Sequence, residues 1–316
     1  MTKSILLIDT LHPQFIKTIE EAGISIREGY HLSKEEVLLE IHNHQGIAIR
    51  SRFAIDADFI EKATTIKCIG RAGAGMENID LIAAQKANII CVNAPEGNRT
   101  AVGEHAVGML LMLFNNLLRA DKEVRQGMWR REENRGVELA GKTVGIIGFG
   151  QMGKSFAQKL RGFDVKILAL DPYIKIDNGE FPYVEQCTEQ VFFSECDVVS
   201  LHIPLTAETK YLVNAAWIQR FAKPIWFINT ARGKNVDTQA LVDGLKSGKI
   251  RGAALDVLEY ETLSFEHIDK DNLPSPFQEL CAMEQVVLSP HIAGWTHESN
   301  EKIARILAEK MIEVLI

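Results

Sequence analysis

The sequence predicts an α/β protein made of two doubly wound parallel-sheet units. Three observations carry this. Short apolar strands alternate with amphipathic helical stretches along almost the whole chain, the pattern of a parallel sheet with helices on its faces. The alternation is interrupted once, at NAPEGNRT (93–100) and a long apolar helix behind it, and then starts again. The second series opens on a glycine-rich turn between a strand and a helix. At 316 residues the chain is long enough for about two domains.

In order, SILLID (4–9) reads as a strand and HPQFIKTIEEAG (12–23) as a helix closed by Gly23. GIAIRS (46–51), IKCIGRAG (66–73) and NIICVN (88–93) read as further strands, with DADFIEKA and NIDLIAAQKA as helices among them. Pro95 and Gly97 mark NAPEGNRT as a loop, and the apolar helix is expected to begin near Ala101 and fade by Gly127. The second series is KTVGIIGFG, DVKILALD, CDVVSLHIP, PIWFINTA, RGAALDV and QVVLSPH, and HESNEKIARILAEKMIEVLI forms a last helix. Crossings are expected near 94–100 and 289–296, so residues 1–99 and 292–316 are expected to form one domain and 100–291 the other.

Bulk properties exclude several function classes. Hydrophobic content is 46% and charged content 24%, values ordinary for a globular protein. A net charge of −7 argues against nucleic acid and polybasic membrane partners. MTKSILLID has too short an apolar run for a signal peptide, and HAVGMLLMLFNNLL is shorter than a membrane span. The five cysteines show no metal or redox spacing, which predicts inert, reduced, buried thiols and a cytoplasmic protein.

The glycine-rich turn is Gly148-x-Gly150-x-x-Gly153. Its first glycine permits the tight turn, the second lets backbone amides approach a pyrophosphate, and the third lets helix and strand pack closely. The helix behind it presents free N–H groups and a partial positive charge to phosphates. The next strand ends in Asp171, 18 residues beyond Gly153. A carboxylate there accepts hydrogen bonds from the adenosine ribose and repels a 2′-phosphate, which predicts NAD rather than NADP as cofactor in a Rossmann-type domain.

Three polar residues lie at or beyond strand ends, where open parallel sheets bind ligands: Arg232 after PIWFINTA, Glu261 after RGAALDV, and His291 after QVVLSP. Together they supply the parts needed to oxidise a hydroxy acid. The arginine can hold a carboxylate with a two-toothed fork. The histidine can take the hydroxyl proton while hydride leaves for a nicotinamide, and the glutamate can pair with and orient the imidazole.

With these residues in view, the chain resembles the NAD-dependent D-2-hydroxyacid dehydrogenases, most closely the D-3-phosphoglycerate dehydrogenase branch. The resemblance covers nearly the whole chain through GRAGAGMENIDL (70–81), NAPEGNRTAVGEHAVGMLL (93–111), ELAGKTVGIIGFGQMG (138–153), LHIPLTAETKYLVN (201–214), INTARGKNVD (228–237), GAALDVLEYE (252–261) and SPHIAGW (289–295). It implies a dinucleotide domain inserted in a discontinuous, flavodoxin-like substrate domain. Carried over by position, the catalytic residues fall on Arg232, Glu261 (rather than Glu259) and His291. The resemblance places Asp256 at the nicotinamide carboxamide, the backbone of Gln151 and Met152 at the pyrophosphate, and Ile203 and Pro204 at the adenine-side wall. It places Thr230, Ala231 and Gly294 near the nicotinamide. RAGAG resembles a carboxylate-binding loop, whose amides at Ala72, Gly73 and Ala74 are expected to form an anion nest. Arg50 matches a position that approaches a substrate's phosphate end, with a structural salt bridge as the other reading.

The expected reaction is hydride transfer between NAD and a small anionic D-2-hydroxy acid, 3-phosphoglycerate first, as in serine biosynthesis. Glyoxylate or hydroxypyruvate reduction is the alternative, and a non-catalytic NAD(H)-sensing protein the rival from another class. The resemblance also implies a homodimer through the NAD-binding domain, with GMWRREENRG (127–136) near the contact. Two departures stand out. Thr262 follows Glu261 where the family often has Pro, and the 262–289 segment is longer than usual, reading as an expanded loop and a short helix. No metal is implied. The chain stops at Ile316 without the C-terminal serine-sensing domains of some phosphoglycerate dehydrogenases, so feedback of that kind is not expected.

Overall fold

The computed structural model describes residues 3–261 and 273–316. The chain divides into two compact units, and the second, residues 100–261 and 273–294 among those described, lies in sequence inside the first.

The first unit runs β1 (Ser4–Leu7), α1 (Pro13–Glu21), β2 (Ser25–Glu28), α2 (Lys34–Glu40), β3 (Gly46–Ile49), α3 (Ala57–Lys62), β4 (Cys68–Arg71), α4 (Leu81–Lys86) and β5 (Ile90–Asn93). Among the described residues its five strands form one sheet, all parallel, in the order β2-β1-β3-β4-β5. The order reverses between β1 and β3, so the loops after these two strands open at the switch point where such sheets bind ligands. Asp9 and Arg50 sit there. Asp9 Oδ2 accepts the backbone N–H groups of Arg50 (2.6 Å), Ser51 (3.0 Å) and Arg52 (3.3 Å), which fixes the loop after β3.

A long helix, α5 (Pro95–Phe114), leaves the first unit, and α6 (Leu117–Arg125) follows it at a 62° bend. This corrects the sequence reading at NAPEGNRT, which is largely helix, because Pro95 presets the helical φ where no N–H is needed. The apolar run breaks at Asn115-Asn116, as those two residues suggest, and Asn116 adopts φ +52°. Asparagine tolerates that left-handed conformation better than most residues.

The second unit continues with β6 (Thr143–Ile147), α7 (Gln151–Lys159), β7 (Lys166–Leu170), β8 (Val184–Gln186), α8 (Glu189–Glu195), β9 (Val198–Leu201), α9 (Ala215–Gln219), β10 (Ile225–Asn229), α10 (Thr238–Lys246), β11 (Ile250–Leu255), α11 (Ser275–Ala282) and β12 (Val286–Leu288). The sheet order is β12-β11-β10-β9-β6-β7-β8, all parallel, with the reversal between β6 and β9. Apolar layers cover both faces, which is why every residue of β9 and β10 is buried. Two strands left no clear mark in the sequence. β2 (SIRE) and β8 (VEQ) are short, polar edge strands with little to bury. Within the long 262–289 segment, α11 is the expected short helix, and the expected loop at 262–272 lies outside the described residues.

The last helix, α12 (His297–Leu315), belongs to the first unit and packs Leu307, Met311 and Leu315 into its core. Small residues make room for it. A Cβ on Gly70 would overlap Met311 Sδ, and one on Gly97 would lie 2.6 Å from the backbone nitrogen of Ile303. Lys310 Nζ ties α12 to the start of α5 through Glu96 Oε2 (2.9 Å) and the carbonyl of Asn93 (2.9 Å).

No single helix among the described residues is long and apolar enough to cross a membrane. Burial pushes the Cys68 thiol up to about 12 and that of Cys91 to about 11, so both stay protonated and inert at neutral pH. Cys281, expected to be buried, is instead exposed on α11.

The Gly97 contact is with backbone, which cannot swing aside. Gly97→Ala should therefore destabilise the fold by about 1–3 kcal/mol, read as a lower denaturant midpoint. An unchanged midpoint would show that α12 has room to move.

Candidate active site

In the second unit the loops after β6, β7, β9, β10, β11 and β12 carry all the predicted site residues of that unit except the first residues of α7. At the β6 turn each glycine has a separate physical reason. Gly148 adopts φ +86°, and a Cβ there would sit 2.5 Å from the His202 carbonyl and 2.8 Å from Ile203 Cγ2. A Cβ on Gly153 would overlap the carbonyl of Gly148, so α7 and the turn are in direct backbone contact. A Cβ on Gly150 would meet nothing. The space over Gly150 is therefore open, and Gly150 begins α7 with no side-chain cap, so the first turn of α7 borders that space with its positive helix end. This is a cradle a phosphate fits and a side chain would fill.

Asp171 follows β7. Its Oδ2 accepts Phe149 N–H (2.7 Å), and its Oδ1 accepts Tyr173 N–H (2.8 Å) and Ile174 N–H (2.9 Å). The carboxylate thus pins the glycine turn to the end of β7, and Oδ2, which accepts one N–H, keeps a lone pair for a ribose hydroxyl. Across the reversal, Ile203 and Pro204 follow β9, and the Pro204 carbonyl accepts Thr209 Oγ1 (2.6 Å). Before them His202 packs its ring on Phe156 at 5.2 Å and pairs Nε2 with Ser200 Oγ at 2.9 Å. Burial pushes this imidazole down to about 3, so it stays neutral beneath the turn.

The loop after β10 is built by Asn229, which is 1% exposed. Its Oδ1 accepts Ala231 N–H (3.0 Å) and its Nδ2 donates to the Arg232 carbonyl (2.9 Å), closing the turn that carries Thr230, Ala231 and Arg232. Arg232 Nη1 donates to the Ala231 carbonyl at 2.7 Å. Thr230 Oγ1 is buried and finds no hydrogen-bond partner among the described residues. Such an orphaned hydroxyl costs free energy unless a ligand completes it. Gly233 then explains the Arg-Gly pair. A Cβ there would overlap the backbone carbonyl of Leu258. Only glycine lets the β11 loop pass against the β10 loop.

Glu261 lies at the end of that β11 loop. Its Oε2 is 2.7 Å from His291 Nδ1, and its Oε1 accepts Leu258 N–H. Since the carboxylate only accepts, His291 Nδ1 carries hydrogen, and in the neutral ring Nε2 is the basic nitrogen. The neighbouring acid is committed elsewhere. Glu259 Oε2 accepts Thr238 N–H (3.1 Å) and Oγ1 (2.6 Å) at the start of α10, and its Oε1 accepts Tyr211 OH (2.9 Å).

His291 has φ +55°, a strained conformation for a residue with a side chain. Asp256, 1% exposed, holds it there. The Asp256 carbonyl accepts His291 N–H (2.7 Å), its Oδ1 accepts Ile292 N–H (2.9 Å), and its Oδ2 accepts Ala293 N–H (2.8 Å). Much of the carboxylate expected to meet a carboxamide is thus spent on the histidine loop, which continues to Gly294.

In the first unit, RAGAG follows β4. The expected nest is corrected at one position: Ala72 N–H donates to the Ile49 carbonyl at 2.8 Å, so only the Gly73 and Ala74 amides are left for an anion. The Arg71 guanidinium takes the place of a Cβ over Gly73, adding a cation that the sequence reading had not assigned. Arg50, at the switch point, stacks on the Trp295 ring at 4.7 Å, and Trp295 is 64% exposed.

This geometry belongs with a known family. The model of the D-isomer specific 2-hydroxyacid dehydrogenase, NAD binding domain, matches residues 107–293, and the chain belongs to that family. Its relatives include a D-3-phosphoglycerate dehydrogenase of Archaeoglobus fulgidus, 33% identical over 98% of this chain and 57% of that protein. A second D-3-phosphoglycerate dehydrogenase, from Methanocaldococcus jannaschii, is 36% identical over 98% of this chain and 57% of that protein. The chain thus spans somewhat more than half the length of these relatives. Among solved structures, D-2-hydroxyisocaproate dehydrogenase superposes with a TM-score of 0.81 at 28% identity, covering 99% of this chain and 96% of the other.

Glycine positions separate binding from folding. Gly150→Val should leave stability unchanged while weakening NADH binding more than about tenfold, since the added side chain enters the phosphate cradle. NADH fluorescence titration beside a thermal melt checks this; full NADH affinity in the variant would remove the cradle from the site.

Proposed function

We propose that the protein is an NAD-dependent dehydrogenase of D-2-hydroxy acids, with 3-phosphoglycerate as its substrate. The observation that carries this reading is the Glu261–His291 pair at 2.7 Å on a β12 loop of a dinucleotide-binding sheet. When bound, NAD supplies or accepts the hydride. Gly150 and the first turn of α7 hold its pyrophosphate, Asp171 its ribose, Ile203 and Pro204 its adenine side, and Thr230 its nicotinamide end. The negative charge of Asp171 disfavours a 2′-phosphate, which supports NAD over NADP.

His291 Nε2 accepts the substrate's hydroxyl proton during oxidation and returns it to the carbonyl oxygen during reduction. Glu261 holds the ring in the tautomer that exposes Nε2 and stabilises the imidazolium that forms. Arg232 grips the substrate carboxylate. The Gly73 and Ala74 amides and the cations Arg50 and Arg71 offer the first unit's binding groups for an anionic substrate. Support for the phosphorylated substrate comes from relatives named D-3-phosphoglycerate dehydrogenase and from Arg50. We propose a homodimer as the working form, for which the exposed apolar residues Leu117, Leu118, Val124 and Trp129 on and after α6 provide a surface.

Three outcomes follow. His291→Asn should lower turnover by about 10²–10⁴-fold while sparing NADH binding; unchanged turnover would remove the proton role. In a panel of 3-phosphohydroxypyruvate, hydroxypyruvate and glyoxylate, the phosphorylated keto acid should give the highest kcat/KM, and Arg50→Ala should erase that advantage by raising KM. Equal rates on all three would make the protein a general 2-keto acid reductase, and NADH binding without turnover would make it a sensor. Reduction needs His291 protonated and oxidation needs it neutral. The kcat/KM profile for reduction should therefore fall with rising pH while that for oxidation climbs.

A further inference from the structure

The loop that carries His291 is anchored by a polar chain the mechanism above does not use. Ser289 Oγ lies 2.6 Å from Asp256 Oδ1 and 3.0 Å from His105 Nε2. His105 Nε2 is itself 3.5 Å from Asp256 Oδ1. His105 and Met109 are one turn apart on α5, so they present one face, and Met109 Sδ is 3.7 Å from the same hydroxyl. Ser289 has a single hydroxyl hydrogen. A carboxylate can only accept, so that hydrogen points to Asp256 Oδ1, and the Ser289 oxygen must accept from His105 Nε2–H. Asp256, in turn, accepts Ile292 and Ala293 N–H on either side of its carboxylate, while its own carbonyl accepts His291 N–H. The chain of bonds thus runs from α5 through two side chains to the backbone of a strained histidine.

We infer that His105 and Ser289 are positioning residues: through Asp256 they hold the His291 loop in the left-handed conformation that sets the imidazole against Glu261. The inference rests on the dehydrogenase reading. A buried carboxylate with several possible partners settles into one orientation only when its partners are fixed. Removing the donor at His105 frees the Ser289 hydroxyl to turn, loosens Asp256 Oδ1, and lets the loop relax from φ +55° towards conformations that cost less. The imidazole then spends less time where proton transfer works. The pyrophosphate cradle at the β6 turn and Asp171 after β7, which dominate the proposed cofactor binding, are not touched.

The test uses the full chain. His105→Leu keeps bulk without a donor, and His105→Gln restores an N–H. His105→Leu should lower kcat about tenfold with NADH affinity and keto acid KM kept within about twofold, and His105→Gln should recover most of the loss. Ser289→Ala should cost a similar factor, and the double variant should be no worse than either alone, because both cut one chain. In ¹⁵N-histidine-labelled wild-type protein, the resonance lost in His105→Gln should show the Nε2–H tautomer, a readout that needs neither activity nor a stable Leu variant. Losses that multiply, a Gln variant as slow as Leu, or an Nδ1–H tautomer would overturn the inference. Wild-type protein that binds NADH yet reduces no 2-keto acid would instead sink the dehydrogenase reading, while the tautomer would still report on the chain of bonds.

Discussion

The hydrogen bond between Glu261 and His291 is the interaction on which the proposed chemistry depends, and much of the second unit is arranged to make it. Its two partners come from loops after neighbouring strands, β11 and β12. A parallel sheet places such loops side by side at one edge, but adjacency is not enough. The β11 loop must pass hard against the β10 loop, which Gly233 allows, and His291 must take a backbone conformation that it does not prefer, which Asp256 enforces. Strain at His291 is thus offset by three hydrogen bonds to one buried residue. Each is worth about 1 kcal/mol net, and more where the acceptor is charged.

A different economy governs the cofactor turn. There the chain removes matter rather than fixing it. Gly148 and Gly153 permit close backbone packing, and Gly150 leaves a space open to the proposed cofactor. Asp171 serves both purposes at once, since its bonds to Phe149, Tyr173 and Ile174 hold the turn while its charge selects what approaches it. The orphaned hydroxyl of Thr230 points the same way: a polar atom without a partner is tolerated where a ligand completes it.

Much of this was legible in the sequence because the relevant signals are local. Strand, glycine turn, helix and acid follow one another within thirty residues, and alternation of apolar runs gives the two sheets. Arg232 and His291 were visible because each closely follows an apolar run, whereas Glu261 lies a few residues past its strand and was singled out over Glu259 by the resemblance. What escaped was either too short or too distant. β2 and β8 carry few apolar residues because they lie at sheet edges. The start of α5 was hidden by proline and glycine, which mark loops in most contexts and a helix N-terminus in this one. The Ala72 amide looked available for an anion, but pairing with the Ile49 carbonyl on a neighbouring strand is a tertiary fact that local glycine content cannot reveal. His105 and Ser289 sat inside recognisable motifs, yet 184 residues separate them, and no spacing rule links them.

The central claim is that this chain moves a hydride between a nicotinamide and the C2 carbon of a hydroxy acid. It is tested most directly with NADH carrying deuterium at C4, in each of its two stereospecifically labelled forms, and mass spectrometry of the product. One form should deliver its deuterium to C2 of the hydroxy acid in full, and the other should leave it on the oxidised cofactor. Product without deuterium from either form would contradict the account.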